Sequence, residues 1–299
     1  MMHIARLLGL ACATLCIVSP GAQAQQRLRP SDVDALPSTP PTVVEAYGSG
    51  PSQFGELRMP AGRGPFPVAV VIHGGCWTRG VATSKNTAAL ASALAAKGIA
   101  TWNIEYRQQG DPGGGWPGTY QDWGAGTDHL RELSRRYPID LSRVLVTGHS
   151  AGGHAALWVA ARSRLPAGSE IGVAKPLPVK AVIALDGPGD LVETIGFNND
   201  YCGMPVVVPF MGGTPADKPE RYAQASPIEL LPIGVPPFLV VARFLLPERA
   251  ERYAARARRT GDKVELLTLD TGHFDVIAPG TEAWRGIEAL FIQQAFAAR

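Results

Sequence analysis

The stretch Leu145-Val-Thr-Gly-His-Ser-Ala-Gly-Gly-His154 limits the folds open to this chain more than any other. An apolar run, Val144 to Val146, meets Gly148-His-Ser-Ala-Gly152, and a helix-forming segment, Ala155 to Ala161, follows at once. A serine on a sharp strand-to-helix turn crowds the backbone, so glycines are needed where a Cβ would clash. The helix that follows points unpaired N–H groups back at the turn. This places Ser150 exposed at the carboxyl end of a strand, with anion-stabilising donors beside it. A plain glycine–serine turn without chemistry leaves both flanks unexplained.

The rest of the chain supplies the scaffold such a turn needs. Pro67 to Ile72 is a continuous apolar, β-branched run, the pattern of a strand buried on both faces. It ends in His73-Gly-Gly-Cys-Trp77. Further strands are expected at Ile99–Tyr106, Arg143–Thr147, Val179–Leu185, Pro237–Ala242 and Val264–Leu269. Helices are expected at Thr83–Lys97, Tyr120–Tyr137, Glu248–Thr260 and Trp284–Ala298. Alternating strands and helices argue for an α/β fold with a mostly parallel sheet and helices on both faces. Val43–Tyr47 and Phe54–Met59, joined by Gly48-Ser-Gly-Pro51, read as a hairpin that adds an antiparallel N-terminal edge. Residues 191–230 hold little periodicity and much Gly, Pro and Asn, and read as an irregular cap over strand ends.

A chain of 299 residues, 45% hydrophobic, can bury one large core, and residues 43–299 read as a single domain. A net charge of +2 gives no reason to expect a nucleic-acid partner. No segment beyond the N-terminus offers about 18 uncharged apolar residues, so no membrane span is expected. Residues 1–24 read as a signal peptide: Arg6 is basic, Leu7 to Val18 is apolar, and Ala22-Gln-Ala24 is a small-x-small cleavage site. That predicts export, to the periplasm or outside the cell. Residues 25–42, rich in Pro, Gln and Ser, follow as an extended arm. Cys12 and Cys16 leave with the signal. Cys76 and Cys202 remain, either as one disulfide or as two buried thiols.

A serine nucleophile needs a base, and in this type of turn the partners follow in the order serine, acid, histidine. His3 lies in the signal, His129 in a helix, and His73 opens the glycine loop. His149 and His154 flank the serine and are placed to pack or orient. His273 follows the last strand in a glycine-containing turn and is the candidate base. The tetrahedral oxyanion needs two N–H donors. The amide of Ala151 is one candidate. The loop around Gly75 and Cys76, where backbone can approach substrate closely, supplies the other. The histidines are dispersed and no Cys/His ligand spacing occurs, so no metal and no cofactor are expected.

Val70-Val-Ile-His-Gly-Gly-Cys-Trp77, Asn103-Ile-Glu-Tyr-Arg107, Gly148-His-Ser-Ala-Gly-Gly153 and Gly272-His-Phe-Asp275 together resemble the α/β-hydrolase superfamily. The likeness covers about residues 43–298. It is nearest the esterase/lipase-like branch, with its feruloyl-esterase-like and kynurenine-formamidase-like members. It implies Ser150 as nucleophile, His273 as base, and the amides of Gly75, Cys76 and Ala151 as the oxyanion hole. It also implies a Cys76–Cys202 bridge pinning the cap to the glycine loop. One departure stands out. In this branch the seventh strand is followed by a turn that supplies the triad acid, yet no Asp or Glu lies between Val240 and Pro247. Asp186, after the sixth strand, is the preferred substitute. Glu248 is the alternative, although its place suits a helix dipole. Asp190 is better suited to capping local backbone.

The expectation is therefore a serine carboxylesterase acting on a small ester through an acyl-enzyme. Two other readings stand beside it. One is a non-catalytic binding protein on a hydrolase scaffold, suggested by the missing turn acid. The other is an amidase or peptidase, ranked lower because amide leaving groups depend more on firm protonation by the histidine. Trp77, Trp116, Tyr120 and Trp123 crowd the expected mouth, for stacking on substrate or, more simply, for packing. Arg107 and Asp122 either orient substrate or pair with each other.

Overall fold

A computed structural model describes residues 27–297. The expected signal segment lies outside the described residues. Eight strands form one sheet: β1 (Val43–Ala46), β2 (Phe54–Arg58), β3 (Phe66–Ile72), β4 (Ala100–Ile104), β5 (Ile139–His149), β6 (Ala181–Leu185), β7 (Pro237–Val241) and β8 (Glu265–Thr268). Their order across the sheet is β1-β2-β4-β3-β5-β6-β7-β8. The β1–β2 hairpin pairs antiparallel with β4, and every other neighbour is parallel.

The helices, in chain order, are α1 (Pro30–Asp34), α2 (Ala88–Ala96), α3 (Gly118–Asp128), α4 (Leu130–Leu133), α5 (Ala151–Ala161), α6 (Leu191–Ile195), α7 (Asn198–Cys202), α8 (Val207–Met211), α9 (Pro219–Ala225), α10 (Pro247–Thr260) and α11 (Glu282–Phe296). Three expectations change. The helix expected to run to Tyr137 breaks at His129 into α3 and α4. The arm is not extended throughout: Pro30 sits at the first helical position, and the Asp32 carboxylate accepts the backbone N–H and the guanidinium of Arg29, holding the start of a turn of helix. The cap region is short helices α6 to α9 rather than irregular chain, because its glycines and prolines fall between turns and at their ends.

Strand period two explains how the continuous apolar runs are used. Val68, Val70, Ile72, Val146, Val182, Ala184 and Val241 face one layer, with α5 and the aromatic side chains of α3. Ala69, Val71, Leu145, Ile183, Leu185 and Val240 face the other, with Leu90 and Leu94 of α2 and Ile287 and Phe291 of α11. Each fully buried Val, Leu or Ile contributes about 1.5–3 kcal/mol relative to exposure. Both layers must be filled for the central strands to stay dry, and that fixes their carboxyl ends along one rim.

Candidate active site

Among the described residues, four other than glycine have backbone in the left-handed region: Cys76 (φ 54°), Trp77 (φ 55°), Ser150 (φ 56°) and Asp186 (φ 48°). All four lie just past the carboxyl ends of β3, β5 and β6. Such backbone costs on the order of 1–3 kcal/mol per residue, so the surroundings must enforce it. For Ser150 they do. Its N–H donates to Leu185 O at 2.9 Å, and its carbonyl accepts from Gly153 and His154. A methyl on Gly148 would strike the carbonyl of Gly152, and one on Gly152 would strike that of Ile72. Glycine is required at both places. Ser150 is only 7% exposed, so the hydroxyl is less open than the sequence implies and faces a cavity instead of bulk water.

That cavity has a volume of about 370 Å³ and a mostly apolar lining. Ser150, His273, Gly75 and Cys76 all line it. The sequence-predicted nucleophile, base and oxyanion loop are thus gathered in one place. Ala151 is the first residue of α5, so no carbonyl four residues earlier in the helix takes its N–H.

Asp186 answers where the carboxylate is. Its backbone N–H bonds to Val240 O at 2.8 Å, and its side chain is fully buried. Asp186 Oδ2 accepts from His273 Nδ1 at 2.7 Å. The same carboxylate accepts the N–H groups of Ala242, Phe244 and Leu245, each at 2.9 Å. The turn after β7 carries no acid. It supplies three amides to an acid held on the neighbouring strand. Burial alone would raise the Asp186 pKa. The His273 bond and charge, with the amides of Leu245 and Phe244, leave it below the usual carboxylate range. Glu248 is exposed in the first turn of α10, and Asp190 caps α6 through Val192 and Glu193 N–H.

The other histidines hold the frame. His149 Nε2 donates to the carbonyl of His273 at 2.8 Å, and the two rings lie 4.3 Å apart. His154 accepts from Trp77 Nε1 and donates to Ala225 O, tying the glycine loop and α9 to α5. His73 bonds Glu105 at 2.8 Å and stacks on Tyr106, whose hydroxyl donates to His73 O. Burial pushes the Glu105 pKa up, but His73 and the N–H groups of Ser84 and Tyr106 bring it below its ordinary value. The segment around Asn103–Arg107 thereby anchors the loop that follows β3. His129 pairs with Glu45 on β1, at the other edge.

Cys76 and Cys202 form a disulfide that joins the glycine loop to α7. Arg107 and Asp122 pair with each other in a two-pronged contact at 2.8 and 2.7 Å. Trp77, Tyr120 and Trp123 are fully buried and pack around Phe210 and His154. Trp116 stacks under Arg221. None of the four lines the cavity. The aromatic side chains that do, Tyr201, Phe244 and Phe274, come from stretches without periodicity, and of these only Phe274 falls within a motif, Gly272-His-Phe-Asp275. Among the described residues no group of three or more His, Cys, Asp or Glu side chains is arranged to hold a metal. No described helix is long and apolar enough to cross a membrane.

Strand order, strand direction and a strained serine turn at the carboxyl rim define the α/β-hydrolase fold. Solved structures with this fold superpose well. A truncated carbohydrate esterase from gut microbiota gives a TM-score of 0.69 at 19% identity, covering 84% of this chain and 95% of that one. Esterase B from Lactobacillus rhamnosis gives 0.68 at 23% identity, covering 89% and 90%. Within the superfamily, residues 56–242 match the BD-FAE family model, and the chain belongs to that family. Esterase LipC of Mycobacterium tuberculosis is 28% identical over 274 residues, which span 85% of this chain and 65% of LipC. The chain thus spans somewhat less than two thirds of that relative's length.

Proposed function

We propose that this protein is a serine hydrolase that cleaves small carboxylic esters through an acyl-enzyme on Ser150. The observation that carries the proposal is the 2.7 Å contact between His273 Nδ1 and Asp186, in a histidine that shares one cavity with Ser150. Because Nδ1–H donates to the carboxylate, the neutral ring presents Nε2 as its bare nitrogen. Nε2 takes the Ser150 proton as Oγ attacks the ester carbonyl carbon. The oxyanion that forms is met by the N–H groups of Ala151 and of Gly75 or Cys76. Collapse breaks the bond to the alcohol, which leaves with the proton held on His273. Water then gives a proton to His273 and attacks the acyl carbon; the acyl–Oγ bond breaks, the acid leaves, and His273 returns the proton to Ser150 Oγ.

The binding-protein reading was suggested by a missing turn acid, and the Asp186 contact at Nδ1 supports the catalytic reading over it. It also weakens the chemical argument against amides. Esters are preferred because the similar proteins carry esterase names. The test is a fluorophosphonate serine probe with p-nitrophenyl acetate turnover. Wild type should react in both assays. Ser150→Ala should lose labelling and essentially all turnover, and equal labelling of that variant would sink the proposal.

A further inference from the structure

The cavity wall includes a residue far from every motif: Pro30, at the start of α1. We propose that the N-terminal arm, residues 27–34, is a built wall of the substrate cavity, and that Pro30 limits the size of the group accommodated beside Ser150. The inference rests on the esterase reading above for its substrate series, but not for the wall itself.

The arm is fastened at both ends to the segments that carry the chemistry. At one end Leu28 N–H donates to Asp275 Oδ2 at 3.1 Å, two residues past His273. At the other, Asn86 Nδ2 donates to Asp34 Oδ1 at 3.0 Å, and Asn86 is itself a buried residue of the cavity lining. Between them Val33, 1% exposed, is sunk into the core layer under β3, with Leu28 and Leu36 packed beside it. The Arg29 backbone N–H and guanidinium all donate to the Asp32 carboxylate. The arm thus spans from the histidine loop to the segment after the glycine loop, with Pro30 facing the space between.

Proline suits such a wall. Its ring fixes φ, it has no N–H to satisfy, and it loses almost no side-chain entropy on ordering. A larger side chain there should fill part of the cavity, and glycine should enlarge it. In an apolar pocket a change of this size separates short from long acyl groups by about tenfold or more.

The experiment compares wild type, Pro30→Trp, Pro30→Gly and a control, Val44→Trp, on the exposed edge strand β1. Two readouts are taken: kcat/KM for p-nitrophenyl acetate against octanoate, and thermal-shift binding of ethanol against octanol. The second reads cavity size without any reaction. Pro30→Trp should lower the octanoate-to-acetate ratio and the octanol-to-ethanol preference by about tenfold. Pro30→Gly should raise both, and the control should match wild type. If wild type turns over no ester but the alcohol preference still moves with residue 30, the esterase reading falls and the wall stands. If residue 30 moves neither ratio in folded variants, the wall is overturned.

Discussion

Asp186 shows how one side chain can serve two neighbouring strands. It leaves β6 on strained backbone, yet its carboxylate is completed by His273 and three amides of the turn after β7. Asp186→Asn should therefore cost about 10²–10⁴ in kcat, since the amide cannot fix the His273 tautomer in the same way. Glu248→Gln should leave turnover unchanged within error. The reverse ranking, measured on one ester, would reject the assignment. That Ser150 and His273 share a cavity and that Asp186 bonds His273 was legible in the sequence, because each stands at the end of an apolar strand in a motif or turn. The amide cradle was not. It depends on where backbone N–H groups point, and no side-chain pattern records that. The aromatic side chains take the simpler of their two expected places, packing. Trp77, Tyr120 and Trp123 cluster near the motifs in sequence, but their area is worth most when buried among one another.

At the scale of elements, α5 is the hub. His154 and Trp158 on its buried face bond the carbonyls of Ala225 and Gln224, so the end of the cap is docked onto the helix that opens at the serine. The disulfide docks the beginning of the cap, closing a loop across a sequence separation of 126 residues. By the loop-closure argument its removal should cost about 3–5 kcal/mol. The double variant Cys76→Ser, Cys202→Ser should unfold at lower temperature than wild type. A reductant should lower the wild-type midpoint and leave the variant unmoved, and a midpoint indifferent to both would refute the estimate. Strand and helix positions were read from periodicity to within a few residues. The cap helices were not, because they are five to seven residues long and leave too few turns for a period to show.

The molecule as a whole is a two-sided sheet with its polar chemistry gathered at one rim, and this gives it a pH signature. His149 and His154 are fully buried. Burial first, and for His149 the neighbouring His273 charge next, hold them down to about 3 and about 4. Unfolded histidine takes up a proton near pH 6.5. Between that pH and the folded values only the unfolded chain binds these protons, so stability is full above about 6.5 and declines as pH falls toward 4. His154 alone accounts for about 3 kcal/mol across that window. The melting temperature should fall on acidification from pH 7 to 4, and His154→Gln should flatten the fall. An equally steep fall in that variant would reject the assignment. The overall architecture was legible because long apolar runs leave a parallel sheet few alternatives, whereas the arm's place over the cavity hinges on two distant hydrogen bonds. All four left-handed residues other than glycine crowd the carboxyl rim, and the described amino rim has none. Anyone engineering a hardier version should work on the amino side, where backbone is relaxed and changes can accumulate without disturbing what the opposite side holds taut.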